Sequence, residues 1–197
     1  MRSSMQAPAT TRDTEGRMGD RISWSHTCGL HGIVRAMSIT SYDHHPTLRH
    51  EERDALGTAL QTVLIDLIDL SLVAKQLHWN VTGPTFRELH LQLDELTATA
   101  RDLSDDTAER ARALGWSPDG RRQVVAPFST LPALPDGILD TGETVRCAVA
   151  ALTAAIATVR HAMAVTSEYD PVTEDLLHQA ALELEQHAWM FSAQQGH

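Results

Sequence analysis

The chain has 197 residues, 42% of them hydrophobic, and a formal net charge of −10. That length holds one domain with a full core plus a tail. The acidic balance, in which Lys75 is the sole lysine beside fifteen arginines, argues against tight binding to a phosphate backbone and is compatible with attraction of cations.

In chain order, residues 1–45 show no sustained helical period and read as a flexible tail. A bundle of helices is expected over 46–193, with a short tail at 194–197. The first helix begins near residue 48, because Leu60, Leu64, Leu67, Leu70, Ala74 and Leu77 recur every three or four positions. It ends near Asn80, before the tight turn marked by Gly83-Pro84. Phe86, Leu89, Leu93, Leu96, Ala100, Leu103, Thr107 and Leu114 then form a near-heptad seam, stopped by Gly115. Residues 116–140 are rich in Pro and Gly and read as a long crossover with room for a short helical piece.

A third helix carries Val145, Val149, Leu152, Ile156, Val159 and Met163 on one face. The fourth starts at Asp170-Pro171, with Asp170 as cap, and presents Val172, Leu176, Ala180, Leu184, Ala188 and Phe191. There is no strand signal. Four helices with one long central crossover describe an all-α, ferritin-like four-helix bundle. No apolar run approaches the roughly 20 residues of a membrane span, and no signal-peptide core stands at the N-terminus. Cys28 and Cys147 form no paired motif, so a cytoplasmic protein without membrane contact is expected.

The second helix carries the chemistry. His90, Asp94, Asp105 and Glu109 fall within a stripe about 100° wide, and His78 stands just before the turn. His90 with Asp94 and Asp105 with Glu109 are neighbours four residues apart. Asp94 and Asp105, however, are about 16 Å apart along the axis at 1.5 Å per residue. One metal cannot bridge that gap. If both pairs are ligands, each needs a second copy of the chain, its helix antiparallel across a two-fold axis. Imidazole and carboxylate together suit Fe(II), Zn(II) or Mn(II). The Glu-x-x-His spacing of a di-iron site inside one bundle is absent from the chain. Taken singly, an Asp–Glu pair four residues apart is usually just a solvated helix face, and the combination with the shared stripe is what points to a metal.

The run Lys75 to Phe86 (Lys-Gln-Leu-His-Trp-Asn-Val-Thr-Gly-Pro-Thr-Phe), followed by Leu89-His90, Asp94, Asp105 and Glu109-Arg110, resembles the signature of the Dps family, the miniferritins. Asp170 to Leu177 and Leu184-Glu185 with Ala188-Trp189 continue the likeness, which covers about residues 50–191. The resemblance implies a hollow dodecameric shell with ferroxidase sites at its two-fold interfaces. It implies that His78, His90 and Asp94 come from one subunit and Asp105 and Glu109 from its mate. Fe(II) is then the substrate, hydrogen peroxide the preferred oxidant and Fe(III) mineral the stored product. Trp79 would lie beside the centre as an oxidisable ring, or serve interface packing. Asp175 matches an iron-pore position, or complements the helix dipole. Lys75 would pair with a nearby carboxylate, or stand free on the surface.

Many Dps proteins also compact DNA through a lysine-rich tail. Here residues 1–36 hold five arginines and no lysine, opposed by Asp13, Glu15 and Asp20. Repeated around a shell, such a tail could give weak multivalent contact with DNA and association with the nucleoid. The alternative function is therefore a nucleoid-compacting protein with iron oxidation secondary. A further alternative is a shell that has lost its chemistry. His26, His31, His44 and His45 offer imidazoles to an additional tail site, although scattered histidines in a tail are usually unordered.

Overall fold

The computed structural model describes residues 47–195, so the expected tail and its histidines lie outside the described residues. The elements are α1 His50–Asn80, β1 Val81–Thr82, α2 Phe86–Ala113, α3 Arg122–Phe128, β2 Leu139–Asp140, α4 Thr141–Thr166 and α5 Pro171–Ser192. Helix α1 packs against α2 and α4, and α4 against α5. This is the ferritin-like arrangement, with the crossover carrying α3.

All six apolar positions that predicted the first helix are buried along α1. The backbone N–H of Arg49 donates to Glu52 at 2.8 Å and satisfies a donor at its start. Gly83 (φ +132°) and Gly115 (φ +85°) close the turns after α1 and α2 in backbone conformations that side chains rarely adopt. The carboxylate of Asp140 caps α4 by accepting from the Glu143 N–H at 2.8 Å. On α4, Val145, Leu152 and Val159 are buried as expected, together with Ala148, Ala151, Ala155 and Ala162, and Val149, Ile156 and Met163 stand at the margin of that face. On α5, Leu177 is buried and Val172 is exposed.

The expectation of no strand is corrected. Val81 and Thr82 pair in parallel with Leu139 and Asp140. Two-residue strands are too short for any alternation to show in sequence. The pair ties the turn after α1 to the end of the crossover. The crossover is also fixed to α1 by polar side chains. Gln61 exchanges two hydrogen bonds with the backbone of Asp119, each 2.9 Å. Buried Asp66 accepts from the Thr130 N–H at 2.8 Å and from the Thr130 and Thr158 hydroxyls at 2.6 Å. Donors facing one carboxylate from two separate segments hold the loop in a single path.

Helices α1 and α4 do have the length and mean hydropathy of a membrane span, contrary to the reading of short apolar runs. The apolar stretch of α1 is 72% buried inside the bundle, as the central helix of a packed core must be.

Gly57 lies against buried Trp116: a Cβ at Gly57 would overlap the Cγ, Cδ2 and Cε3 atoms of the indole. Helix propensity alone favours alanine there by about 1 kcal/mol. Overpacking wins, and Gly57→Ala is expected to lower stability by about 1–3 kcal/mol, read as an earlier thermal transition.

Candidate metal centre

His78 ends α1 and His90 lies in the second turn of α2, so the Gly83 turn folds one imidazole back onto the other. The rings stack with centroids 3.5 Å apart and planes 21° from parallel. Each Nδ1 meets the other residue's backbone carbonyl: His78 Nδ1 to His90 O at 2.8 Å, and His90 Nδ1 to His78 O at 2.9 Å. A carbonyl oxygen can only accept, so both Nδ1 atoms carry the proton. In the neutral rings both Nε2 atoms then hold the lone pair, which is the tautomer a metal needs. Phe86, expected in the seam, is 43% exposed instead. Its ring lies 5.0 Å from that of His90.

Asp94 is one turn beyond His90. Its Oδ1 accepts a hydrogen bond from Lys75 and lies 3.4 Å from Nδ1 of His78. The Lys75 hydrogen bond, assisted by the ammonium charge and by any proton on His78 or His90 and opposed by burial, holds the Asp94 carboxyl below its ordinary range. Lys75 therefore pairs with a candidate ligand itself. Asp105 and Glu109 are exposed further along α2, and no hydrogen bond or ion pair to the described residues engages either. Trp79 is 67% exposed beside the pair. Asp175, also exposed, stands apart on the first turns of α5.

Thus the fold brings His78, His90 and Asp94 together and leaves Asp105 and Glu109 distant on the same helix. Among the described residues, no three His, Cys, Asp or Glu side chains converge as a metal site within one chain. One end of α2 offers imidazole nitrogen and the other offers carboxylate oxygen. The donor chemistry fits a borderline divalent ion once a second copy supplies the missing half.

Sequence reasoning missed the anchor behind Glu109. Arg110 donates through Nε to the Thr173 hydroxyl at 2.9 Å and pairs with the buried carboxylate of Asp170. Asp170 sits at the N-cap of α5, but its side chain makes no capping bond to the helix backbone. Its oxygen instead accepts from Thr173 and Arg110. The anchor fixes the end of α2 that carries Asp105 and Glu109. The Glu109-Arg110 dipeptide was a visible signal, but the partner's identity was not.

A second buried polar contact lies between α2 and α5. His187 is buried, its Nε2 lies 3.1 Å from the Thr99 hydroxyl, and its Nδ1 has no partner. Burial pushes the ring below its ordinary value, against the opposing charges of Glu95 and Glu183. The unfolded chain therefore takes up this proton more readily. Stability is full above the ordinary histidine value of about 6.5 and falls as pH drops through it. His187→Phe is expected to flatten that part of the stability–pH curve, measured by urea unfolding between about pH 7.5 and 5.5.

The Ferritin-like domain family matches residues 57–197. The chain is 32% identical over 152 residues to a Mycolicibacterium smegmatis protein named "DNA protection during starvation protein", covering 75% of this chain and 81% of that one. It is 31% identical over 135 residues, 68% of this chain, to "DNA protection during starvation protein 2" of Deinococcus radiodurans, and spans 56% of that relative's length. The solved structure of Dps from Microbacterium arborescens in its high iron form superposes with a TM-score of 0.71 at 28% identity. That superposition covers 75% of this chain and 96% of the other.

Proposed function

Because the chain belongs to the Dps proteins within the ferritin-like family, we propose that it is a ferroxidase that stores iron inside a hollow dodecameric shell in the cytoplasm. Fe(II) binds where His78, His90 and Asp94 of one subunit meet Asp105 and Glu109 of its two-fold mate. The observation that carries this reading is the reciprocal pairing of His78 and His90, which presents two Nε2 lone pairs before any metal arrives. The acid pair at the far end of α2 has the complementary half of the donors and, among the described residues, no hydrogen bond or ion pair.

Iron supplies the redox chemistry, and the residues orient it and neutralise its charge. The carboxylates favour the higher charge of Fe(III) over Fe(II), so oxidation is drawn forward at the site. Hydrogen peroxide accepts two electrons, and two Fe(II) ions supply them. Trp79, adjacent to His78 in the chain, is the nearby ring able to donate one electron in place of a second iron. Asp175 lines the route by which cations enter. The relatives' names speak of DNA protection, and consuming Fe(II) and peroxide together gives that protection without a coat on the DNA. Any DNA contact falls to the arginines of the tail and is weak at physiological salt.

The test is Fe(II) oxidation followed by near-ultraviolet absorbance, with peroxide and with oxygen separately, in wild type and Asp105→Ala/Glu109→Ala. Fast peroxide-driven oxidation is expected in wild type. In the variant it drops by more than the roughly 10–100-fold that loss of an outer-shell partner costs, with the shell still assembled. Equal rates in both proteins would remove these two residues from the chemistry.

A further inference from the structure

Among the pairs of adjacent long helices, α2 and α5 share the least contact. Polar links are spaced along this thin seam. Arg110 holds Asp170 and Thr173 at one end. At the other, exposed Gln194 donates through Nε2 to Oε1 of Gln92 at 2.7 Å. Between them His187, only 8% exposed, places Nε2 3.1 Å from the Thr99 hydroxyl. Its buried Nδ1 has no hydrogen-bond partner. The charged groups that act on the ring are Glu95 from α2 and Glu183 from its own helix, and α1 and α4 supply none. Glu95 is exposed, and Glu183 accepts from Gln179 at 2.7 Å. Neither carboxylate bonds to Nδ1 in the packed seam.

We propose that His187 is a proton-operated latch between α2 and α5, shut while the ring is neutral and released when it is charged. A charged imidazole carries a proton on both nitrogens. The Thr99 hydroxyl accepts from one of them. The other is then a buried cationic N–H without an acceptor, which costs more than the unpaired nitrogen of the neutral ring. Opening relieves that cost, because the ring meets water and the carboxylates of Glu95 and Glu183. Burial disfavours the charged ring in the shut state, whereas an open ring titrates near the ordinary value of about 6.5. The open state therefore binds the proton more readily, and opening is favoured as pH falls through that value. Linkage limits the gain in opening to about tenfold between about pH 7.5 and 5.5. The Arg110–Asp170 pair keeps its charges over this range, since Asp170 is held below the ordinary carboxyl value. Release is thus confined to the half of the seam that runs from Thr99 to Gln92. The latch does not depend on the ferroxidase reading.

The test is amide hydrogen exchange on the full-length assembled protein at about pH 7.5 and 5.5, corrected for the chemical pH dependence of exchange. In wild type, segments 184–193 of α5 and 92–100 of α2 are expected to exchange faster at the lower pH, by up to about tenfold. Segment 170–177 stays as protected as before. His187→Gln can still bond to Thr99 but cannot take up a proton, and it is expected to show no acid-induced increase. If that variant fails to assemble, His187→Phe carries the same expectation. Equal exchange at the two pH values in wild type overturns the latch. An acid-induced increase that survives in the variant does so too, as does one spread evenly over all the helices.

Discussion

Shells assembled from equal amounts of two inactive chains, His78→Ala/His90→Ala and Asp105→Ala/Glu109→Ala, are expected to regain about a quarter of the wild-type Fe(II) oxidation rate. The number follows from symmetry. A two-fold interface holds two equivalent sites, each with imidazoles from one chain and carboxylates from the other. In a mixed pair, one site has lost both halves and the other keeps both. Random pairing makes about half of the dimers mixed, each with one site of two, hence about a quarter of all sites. A site completed within a single chain would give no recovery at any ratio. The distance along α2 makes the same distinction, since Asp94 and Asp105 are about 16 Å apart on one straight helix. The mixture is made by co-expression and read by peroxide-driven oxidation, with the unmixed variants as baselines. Recovery near the baseline in well-assembled mixed shells would sink the two-chain site.

Arg110→Leu is expected to destabilise the protein by about 3 kcal/mol at neutral pH, because it leaves the buried Asp170 carboxylate without its counter-charge. Burial pushes the Asp170 carboxyl up, but hydrogen bonds from Thr173 and Arg110 and the guanidinium charge outweigh it and hold the group below its ordinary range. In the wild type this contribution is present above the unfolded value of about 3.9 and lost as pH falls through the lower folded value. In the variant the charged form is penalised, and acid relieves the penalty. The gap between the two proteins therefore closes as pH falls toward 4 and below. Arg110→Leu/Asp170→Asn is expected to recover part of the loss at neutral pH, because a neutral amide is cheaper to bury than an unpaired charge. Urea midpoints at equal subunit concentration provide the check, since assembly shifts apparent stability. A gap that does not change with pH would mean that Arg110 matters for its packing and not for its charge.

The four long helices were legible because their apolar period is repeated over six or more turns. The boundaries at Asn80, Gly115 and Asp170-Pro171 were legible because Gly and Pro act locally. The core face of α4 was less so: a stripe of alanines buries as well as a stripe of valines, and composition cannot tell which faces inward. The β1–β2 pair, the Gln61–Asp119 exchange and the Asp66 node were hidden, since each joins residues more than 50 positions apart. At the candidate site, residue types and spacing pointed to candidate donors and, if both pairs are ligands, to a second copy. They could not identify which ring nitrogen was free. That depends on two carbonyls positioned by the Gly83 turn, and on a lysine whose partner lies on another helix.

The mutual bonding of His78 and His90 has one more consequence. Where a metal assembles its own site, as in small zinc domains, the free energy of binding is also the free energy of folding, and a chelator unfolds the protein. Here the two rings are already oriented by backbone carbonyls, and the helices bearing them are held by a separate apolar core. The conformational entropy of ordering these donors is lost when the chain folds, not when the ion arrives. The ion can then leave without taking the architecture with it. A container for iron needs that independence, because its walls have to stand when it is empty.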